Sequence, residues 1–190
     1  MLTFIYSTVS AGKSANLIMR AHSCSERNIR HTILVPTIAA NRDGNQRIYS
    51  RVGLERIGCT PLSETDCPFA IISEAESNPN KVVFVDEAQF LTRAQVLSLT
   101  RIVDELSIPV FAYGLRSDFK GQPFEGSIYL MTWADRIEEI ASFNKTEAGQ
   151  IEYATFNMKI DKSGNQVTSG EILSPGFDYQ PVSRKRFNLK

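Results

Sequence analysis

One stretch near the N-terminus constrains this chain more than any other: Phe4-Ile5-Tyr6-Ser7-Thr8-Val9-Ser10-Ala11-Gly12-Lys13-Ser14. A buried strand, about Leu2 to Tyr6, runs into a turn of small residues, and Gly-Lys-Ser opens a helix expected to reach about Ser23. Strand, tight turn and helix N-terminus in that order make a cradle for a polyphosphate. Successive backbone N–H groups of the turn face the anion, the helix end adds partial positive charge, Lys13 reaches the β/γ oxygens, and the Ser14 hydroxyl suits Mg²⁺. Ser7 stands where the usual pattern has its first glycine, and serine adopts positive φ less cheaply.

The rest of the chain reads as what such a loop needs around it. At 190 residues the chain is one domain, or one domain with a small appendage. Hydrophobic residues make up 42% and charged residues 22%, ordinary for a globular protein in water. The 21 basic and 21 acidic residues cancel, which disfavours bulk attraction to nucleic acid or an anionic membrane. No run approaches the roughly 18 apolar residues of a membrane span. Met1-Leu2-Thr3 lacks the charged start of a signal peptide, and the apolar run that follows belongs to the phosphate loop. The three cysteines, Cys24, Cys59 and Cys67, have no metal-type spacing and read as free cytosolic thiols.

Down the chain, His31–Val35 is a short β-branched strand closed by Pro36, and Thr37 to Ser50 reads as a long polar loop. Asp66-Cys67-Pro68 is expected to start a short helix with Asp66 at its cap. Lys81–Val85 is a strand buried on both faces, ending in Asp86-Glu87. Thr92-Arg93-Ala94-Gln95 is a capping box, opening a helix to about Leu106. Ile108–Tyr113 is a further strand. Leu115 to Gly126 is a loop, Ser127–Ala134 a short helix, and Arg136–Ala141 a last strand. Repeated βα units predict an α/β fold, a P-loop (RecA-like) parallel sheet ending near residue 141. Residues 142–190 change character: Tyr153–Ile160 and Gln166–Leu173 flank the turn Asp161-Lys162-Ser163-Gly164-Asn165, predicting a hairpin, followed by an extended arm. The expected division is therefore 1–141, a nucleotide-binding domain, and 142–190, a small β domain with a lasso.

The two acids at the end of the Lys81–Val85 strand sit where ligands bind in open α/β sheets. Asp86 is placed to hold Mg²⁺ directly or through water, and Glu87 to act as general base. If the base activates water, the protein is an ATPase; if it activates a substrate hydroxyl, a kinase. Phe90, Phe119 and Phe124 are candidates to stack on a flat heterocycle, the last two because they lie in a polar, glycine-rich loop.

Four further stretches carry a resemblance: Val85-Asp86-Glu87-Ala88-Gln89-Phe90-Leu91, Tyr113-Gly114-Leu115-Arg116-Ser117-Asp118-Phe119, Phe124-Glu125-Gly126-Ser127 and Ser50-Arg51-Val52-Gly53-Leu54. With the phosphate loop and Tyr179…Ser183-Arg184-Lys185, they resemble the type II thymidine kinases, the cytosolic, bacterial and phage form. The resemblance covers nearly the whole chain. It implies transfer of the γ-phosphate of ATP to the 5′-hydroxyl of thymidine, with Mg²⁺, in a cytoplasmic enzyme that is usually a tetramer. Residue by residue it implies Glu87 as catalytic base. The ATP site comprises Ser7, Thr8, Val9, Ser10, Ala11, Gly12, Lys13, Ser14, Arg42, Asp86 and Gln89, with Ser14 and Asp86 at the magnesium. Phe90, Leu115, Phe119, Phe124 and Tyr179 line the nucleoside pocket, and the arm around 172–180 closes over the base.

The sequence departs from that family in its C-terminal part. The family pins its small domain with a zinc ion, but the matching region here reads Ser142-Phe143-Asn144-Lys145-Thr146, and Ser183 stands at a lasso cysteine position. All three cysteines precede residue 68, so no four-ligand set assembles and no zinc is expected. Asn41 replaces an acid beside the loop arginine, and Thr8-Val9 is an unusual first half of the phosphate loop. Two other readings stand beside the kinase. One is a nucleotide-binding regulator that has lost catalysis. The other is a helicase-like ATPase, disfavoured by the zero net charge and by a length too short for a second RecA-like domain.

Overall fold

A computed structural model describes residues 1–40, 47–74, 81–146, 148–172 and 177–188. In chain order the elements are β1 (Leu2–Ser7), α1 (Lys13–Glu26), β2 (Arg30–Pro36), α2 (Thr37–Ala40), β3 (Arg47–Tyr49), β4 (Glu55–Ile57), β5 (Thr60–Leu62), α3 (Pro68–Glu74) and β6 (Lys81–Val85). Then come a 3₁₀ turn at Ala88–Phe90, α4 (Arg93–Leu106), β7 (Val110–Leu115), α5 (Glu125–Trp133), β8 (Arg136–Glu139), β9 (Phe143–Lys145), β10 (Ile151–Tyr153), β11 (Phe156–Ile160), β12 (Asp178–Val182) and α6 (Arg184–Asn188).

Six strands form one sheet in the order β5-β2-β6-β7-β1-β8, and among the described residues every pairing within it is parallel. Strand residues alternate between two apolar layers, as the period of two requires. Phe4, Val83, Val85 and Ala112 pack against the buried stripe Val96, Leu99 and Ile102 of α4. Ile5, Phe84 and Tyr113 pack on the other face with Leu17, Ile18 and Ala21 of α1. Helices on both faces bury both sides of the central strands, which is why these read as unbroken apolar runs. Parallel register brings the C-terminal ends together: Ser7 lies beside Leu115, and Val85 beside Leu34 and Ala112. The loops issuing from that edge build the site.

The capping box at α4 is present, with Gln95 N donating to Thr92 Oγ1 at 3.3 Å and Thr92 N donating to Gln95 Oε1 at 3.1 Å. Other local expectations are corrected. The stretch read as a loop from Thr37 to Ser50 contains a helical turn and β3, which pairs with β4 as an antiparallel hairpin. Asp66 does not cap α3; its carboxylate accepts the Ser63 N–H at 2.6 Å and closes the preceding turn. The turn at 161–165 forms, with Asp161 N donating to Asn165 O at 3.0 Å. Its predicted hairpin stops at a single bridge between Ile160 and Gln166. The long partner of β11 is instead β12, in antiparallel register from Phe156–Val182 to Ile160–Asp178. β9 and β10 make another short antiparallel hairpin. Met158, Ile160 and Val182 form a small apolar cluster of their own, with Phe156 and Phe187 against it. Among the described residues no helix is long and apolar enough to cross a membrane.

Candidate active site

The phosphate loop leaves β1 at Ser7, which is buried and donates its hydroxyl to the Ile140 carbonyl beyond β8. Ser7 therefore fastens the root of the loop rather than lining the cleft. Ser10 (φ 61°) and Gly12 (φ 88°) are both left-handed, and they curl the turn above the start of α1, the conformation in which backbone N–H groups cradle an anion. Asn16 N donates to Gly12 O at 2.9 Å, so the helix begins directly under the turn. Lys13 folds back, its Nζ donating to Thr8 O at 2.6 Å. Burial lowers the Lys13 ammonium below its ordinary range, while the nearby Glu87 and Asp86 carboxylates raise it. Arg51, on the turn between β3 and β4, adds a second positive charge on the cleft lip and lowers Lys13 slightly.

Asp86 follows β6 and is buried at 5% exposure. Its Oδ2 accepts the Ser14 hydroxyl at 3.1 Å, and its N–H donates to Leu34 O at 3.0 Å. Burial, then the neighbouring Glu87 charge, push the Asp86 carboxyl well above the usual carboxylate range. A hydroxyl and a carboxylate side by side, with a phosphate cradle next to them, match the oxygen-rich, sparsely protein-ligated setting of Mg²⁺ at nucleotide sites.

Glu87 departs from the strand with φ 50° and ψ 38°. That left-handed turn ends the alternation of β6 and swings the carboxylate into the cleft. Gln89 holds it there. Its Nε2 donates to Glu87 Oε2 at 2.6 Å, and its Oε1 accepts Leu115 N–H at 3.0 Å. Gln89 is 2% exposed, so both ends of its amide are occupied inside the protein. The 3₁₀ turn that carries these residues rests on Gly126 at the start of α5. A Cβ there would lie 2.5 Å from Ala88 O, 2.9 Å from Gln89 O and 2.8 Å from Leu91 O.

One cleft of about 290 Å³ joins the phosphate loop to an aromatic pocket. Phe90 meets Phe124 edge-on with ring centres 5.6 Å apart, and Phe119 meets Tyr179 of β12 edge-on at 6.3 Å. Phe119 and Phe124 are both buried, so they form walls packed from behind rather than loop rings open to water. The buried Lys159 places its Nζ 4.7 Å from the Phe119 ring centre and donates to Glu171 O at 2.9 Å. Tyr179 donates its hydroxyl to the Ile172 carbonyl at 2.5 Å, tying the two described ends of the arm together. Leu115 lines the same space.

The structure thus brings Val9, Ser10, Gly12, Lys13, Ser14, Glu87, Gln89, Phe90, Leu115, Phe119, Phe124 and Tyr179 onto one cleft, with Asp86 on Ser14. Ser7 and Thr8 are buried beneath the loop, and Arg42 lies outside the described residues. Sequence reasoning missed Asn157, also on the cleft wall, because a single asparagine in a short strand belongs to no motif.

The sequence profile of the family described as thymidine kinase matches residues 1–187. This chain belongs to the thymidine kinase family. A thymidine kinase of Coxiella burnetii is 40% identical, the alignment covering 99% of this chain and 95% of that one. Those of Xanthomonas campestris pv. campestris (strain 8004) and Rhodopirellula baltica are 41% and 39% identical, covering 100% and 98% of this chain and 88% and 87% of theirs. Because the thymidine kinase match runs from the phosphate loop through β12, it takes in both the sheet edge and the arm.

Proposed function

We propose that this chain transfers the γ-phosphate of ATP to the 5′-hydroxyl of thymidine. The observation that carries the reading is one continuous cleft. It is lined by the phosphate-loop residues Ser10, Gly12, Lys13 and Ser14, by the rings of Phe90, Phe119, Phe124 and Tyr179, and by Glu87. The loop N–H groups and Lys13 hold the triphosphate, and on binding it Lys13 exchanges the Thr8 carbonyl for phosphate oxygens. Ser14 and Asp86 would hold Mg²⁺, which would neutralise charge on the phosphates. Phe90, Leu115, Phe119, Phe124 and Tyr179 orient the base and sugar so that the 5′-hydroxyl faces the γ-phosphate. Glu87, steadied by Gln89, accepts the hydroxyl proton. Phosphoryl transfer asks little covalent chemistry of the protein, so alignment and charge stabilisation carry most of the rate. Arg42 belongs to the same proposal as a further phosphate contact.

The remaining family features are inferred with it: a nucleotide-binding part over 1–141 and a small lasso part over 142–190, a homotetramer, and a cytoplasmic setting. The arm works without zinc. Ser183 Oγ donates to Glu152 Oε2 at 2.8 Å and accepts Arg186 N–H at 3.3 Å, so the base of the arm is tied to β10 by hydrogen bonds. Metal analysis returning one zinc per chain would overturn that inference.

The direct test is purified protein with γ-labelled ATP and a panel of nucleosides. Mg²⁺-dependent labelling of thymidine is the expected result. ATP binding without transfer to any nucleoside would leave only a nucleotide-binding regulator.

A further inference from the structure

We infer that Asn157 is a positioning residue that sets the phosphate loop and the acceptor loop in fixed register, an inference that rests on the kinase reading above. Asn157 sits on β11, is 4% exposed and faces the cleft. Its Oδ1 accepts the Val9 N–H of the phosphate loop at 2.8 Å. Its Nδ2 donates to the Ser117 carbonyl at 3.2 Å, where the chain leaves β7 for the loop bearing Phe119. One planar amide thus bridges segments 148 and 40 residues away from it.

The two loops it joins are the donor side and the acceptor side of the cleft. Val9 lies inside the curled turn that ends at Gly12. Ser117 is followed by Asp118, whose Oδ1 accepts the N–H groups of Lys120 and Gln122 at 2.8 and 2.9 Å and makes a rigid turn around Phe119. The strand that carries Asn157 also pairs with β12, where Lys159 lies opposite Tyr179. A displacement of the arm therefore reaches both loops through a single side chain. Few side chains can replace it. An amide offers an acceptor and a donor on one short rigid group, a carboxylate offers no donor, and alanine removes the partner of the half-buried Val9 N–H and of the buried Ser117 carbonyl.

The test uses the full chain with Asn157→Ala and Asn157→Asp, assayed at a temperature where each variant is folded. Asn157→Ala should lower kcat by about ten- to a hundredfold, the scale of a misplacement near 1 Å, and raise KM for both substrates. Asn157→Asp keeps an oxygen toward Val9 N–H but turns an acceptor toward the Ser117 carbonyl, so its KM for thymidine should rise by a larger factor than its KM for ATP. Lowered thermal stability with wild-type kcat and both KM values would make Asn157 a purely structural residue and overturn the inference. A wild-type measurement decides the matter if neither variant folds. Thymidine alone, bound on the acceptor side, should slow amide exchange of Val9 measured by NMR; unchanged exchange overturns the coupling. A wild-type chain that phosphorylates no nucleoside defeats the kinase reading itself. A fully active wild type with indifferent variants defeats only the role of Asn157.

Discussion

Adding one methyl group at Gly126 should disable the site from beneath. The new Cβ would stand 2.5 Å from Ala88 O, whereas ordinary contact begins near 3.4 Å, so about 0.9 Å must be found. The atoms in the way are backbone carbonyls of the turn that carries Glu87 and Phe90, and they cannot rotate aside as a side chain would. Either α5 lifts or the turn tilts. Overpacking of this kind costs about 1–3 kcal/mol of stability. A turn displaced by nearly 1 Å shifts Glu87 relative to both substrates, which corresponds to a loss of up to about 100-fold in kcat. The assay is steady-state phosphorylation of thymidine by Gly126→Ala beside a thermal melt. Ile102→Val serves as reference, since Ile102 is fully buried in α4 behind the sheet and its shortening costs about 0.5–1.5 kcal/mol without touching the turn. The reference should melt earlier and keep its kcat. If Gly126→Ala also keeps wild-type kcat, the turn does not depend on that close approach and the reasoning fails.

Glu87→Gln should bind both substrates and lose about 10²- to 10⁴-fold in turnover, the usual contribution of a general base; near-normal kcat would remove that role. Thr92→Ala should cost about 1 kcal/mol by opening the capping box of α4, read as a lower Tm with unchanged kcat. The cysteines should differ in alkylation by iodoacetamide at pH 8, followed by mass spectrometry. The Ser98 hydroxyl holds the exposed Cys67 thiol below its ordinary value, so Cys67 has the larger thiolate fraction and reacts first. Burial pushes Cys59 up to about 11, so it should react last; labelling of Cys59 ahead of Cys67 would contradict both assignments.

The sheet was legible where burial on both faces writes an unbroken apolar run, as in Lys81–Val85 and Leu2–Tyr6. It was not legible at β5, where Thr60-Pro61-Leu62 is three residues long at the sheet's edge. The pairing of β11 misled for a different reason. The turn at Asp161–Asn165 is a local signal and points to Gln166 onward, but strand pairing is decided by packing. Val182 joins Met158 and Ile160 in their apolar cluster, while the Thr168-Ser169-Gly170 stretch has no apolar side chain to contribute. At the site, Lys13, Ser14, Asp86 and Glu87 were readable because their spacing follows the backbone. The bracing of Glu87 by Gln89 was not, since it depends on where a side chain points. Phe119 and Phe124 read as stacking candidates because their loop is polar and glycine-rich; the fold buries both rings, and it buries Ser117, Asp118 and Ser127 beside them.

The left-handed backbone at Glu87 has a consequence for anyone who would move this chemistry elsewhere. On a regular strand, consecutive acids diverge to opposite faces, so an Asp-Glu pair grafted onto the end of another sheet would place one carboxylate in the core or in solvent. Here a single residue at φ 50° makes the two converge. That bend is held by the Gln89 amide and by a glycine some forty positions further along the chain. The smallest transferable unit is therefore not the dipeptide but the strand end, the 3₁₀ turn and the first residues of α5 together. A scaffold lacking the third would carry the right letters in an inactive geometry.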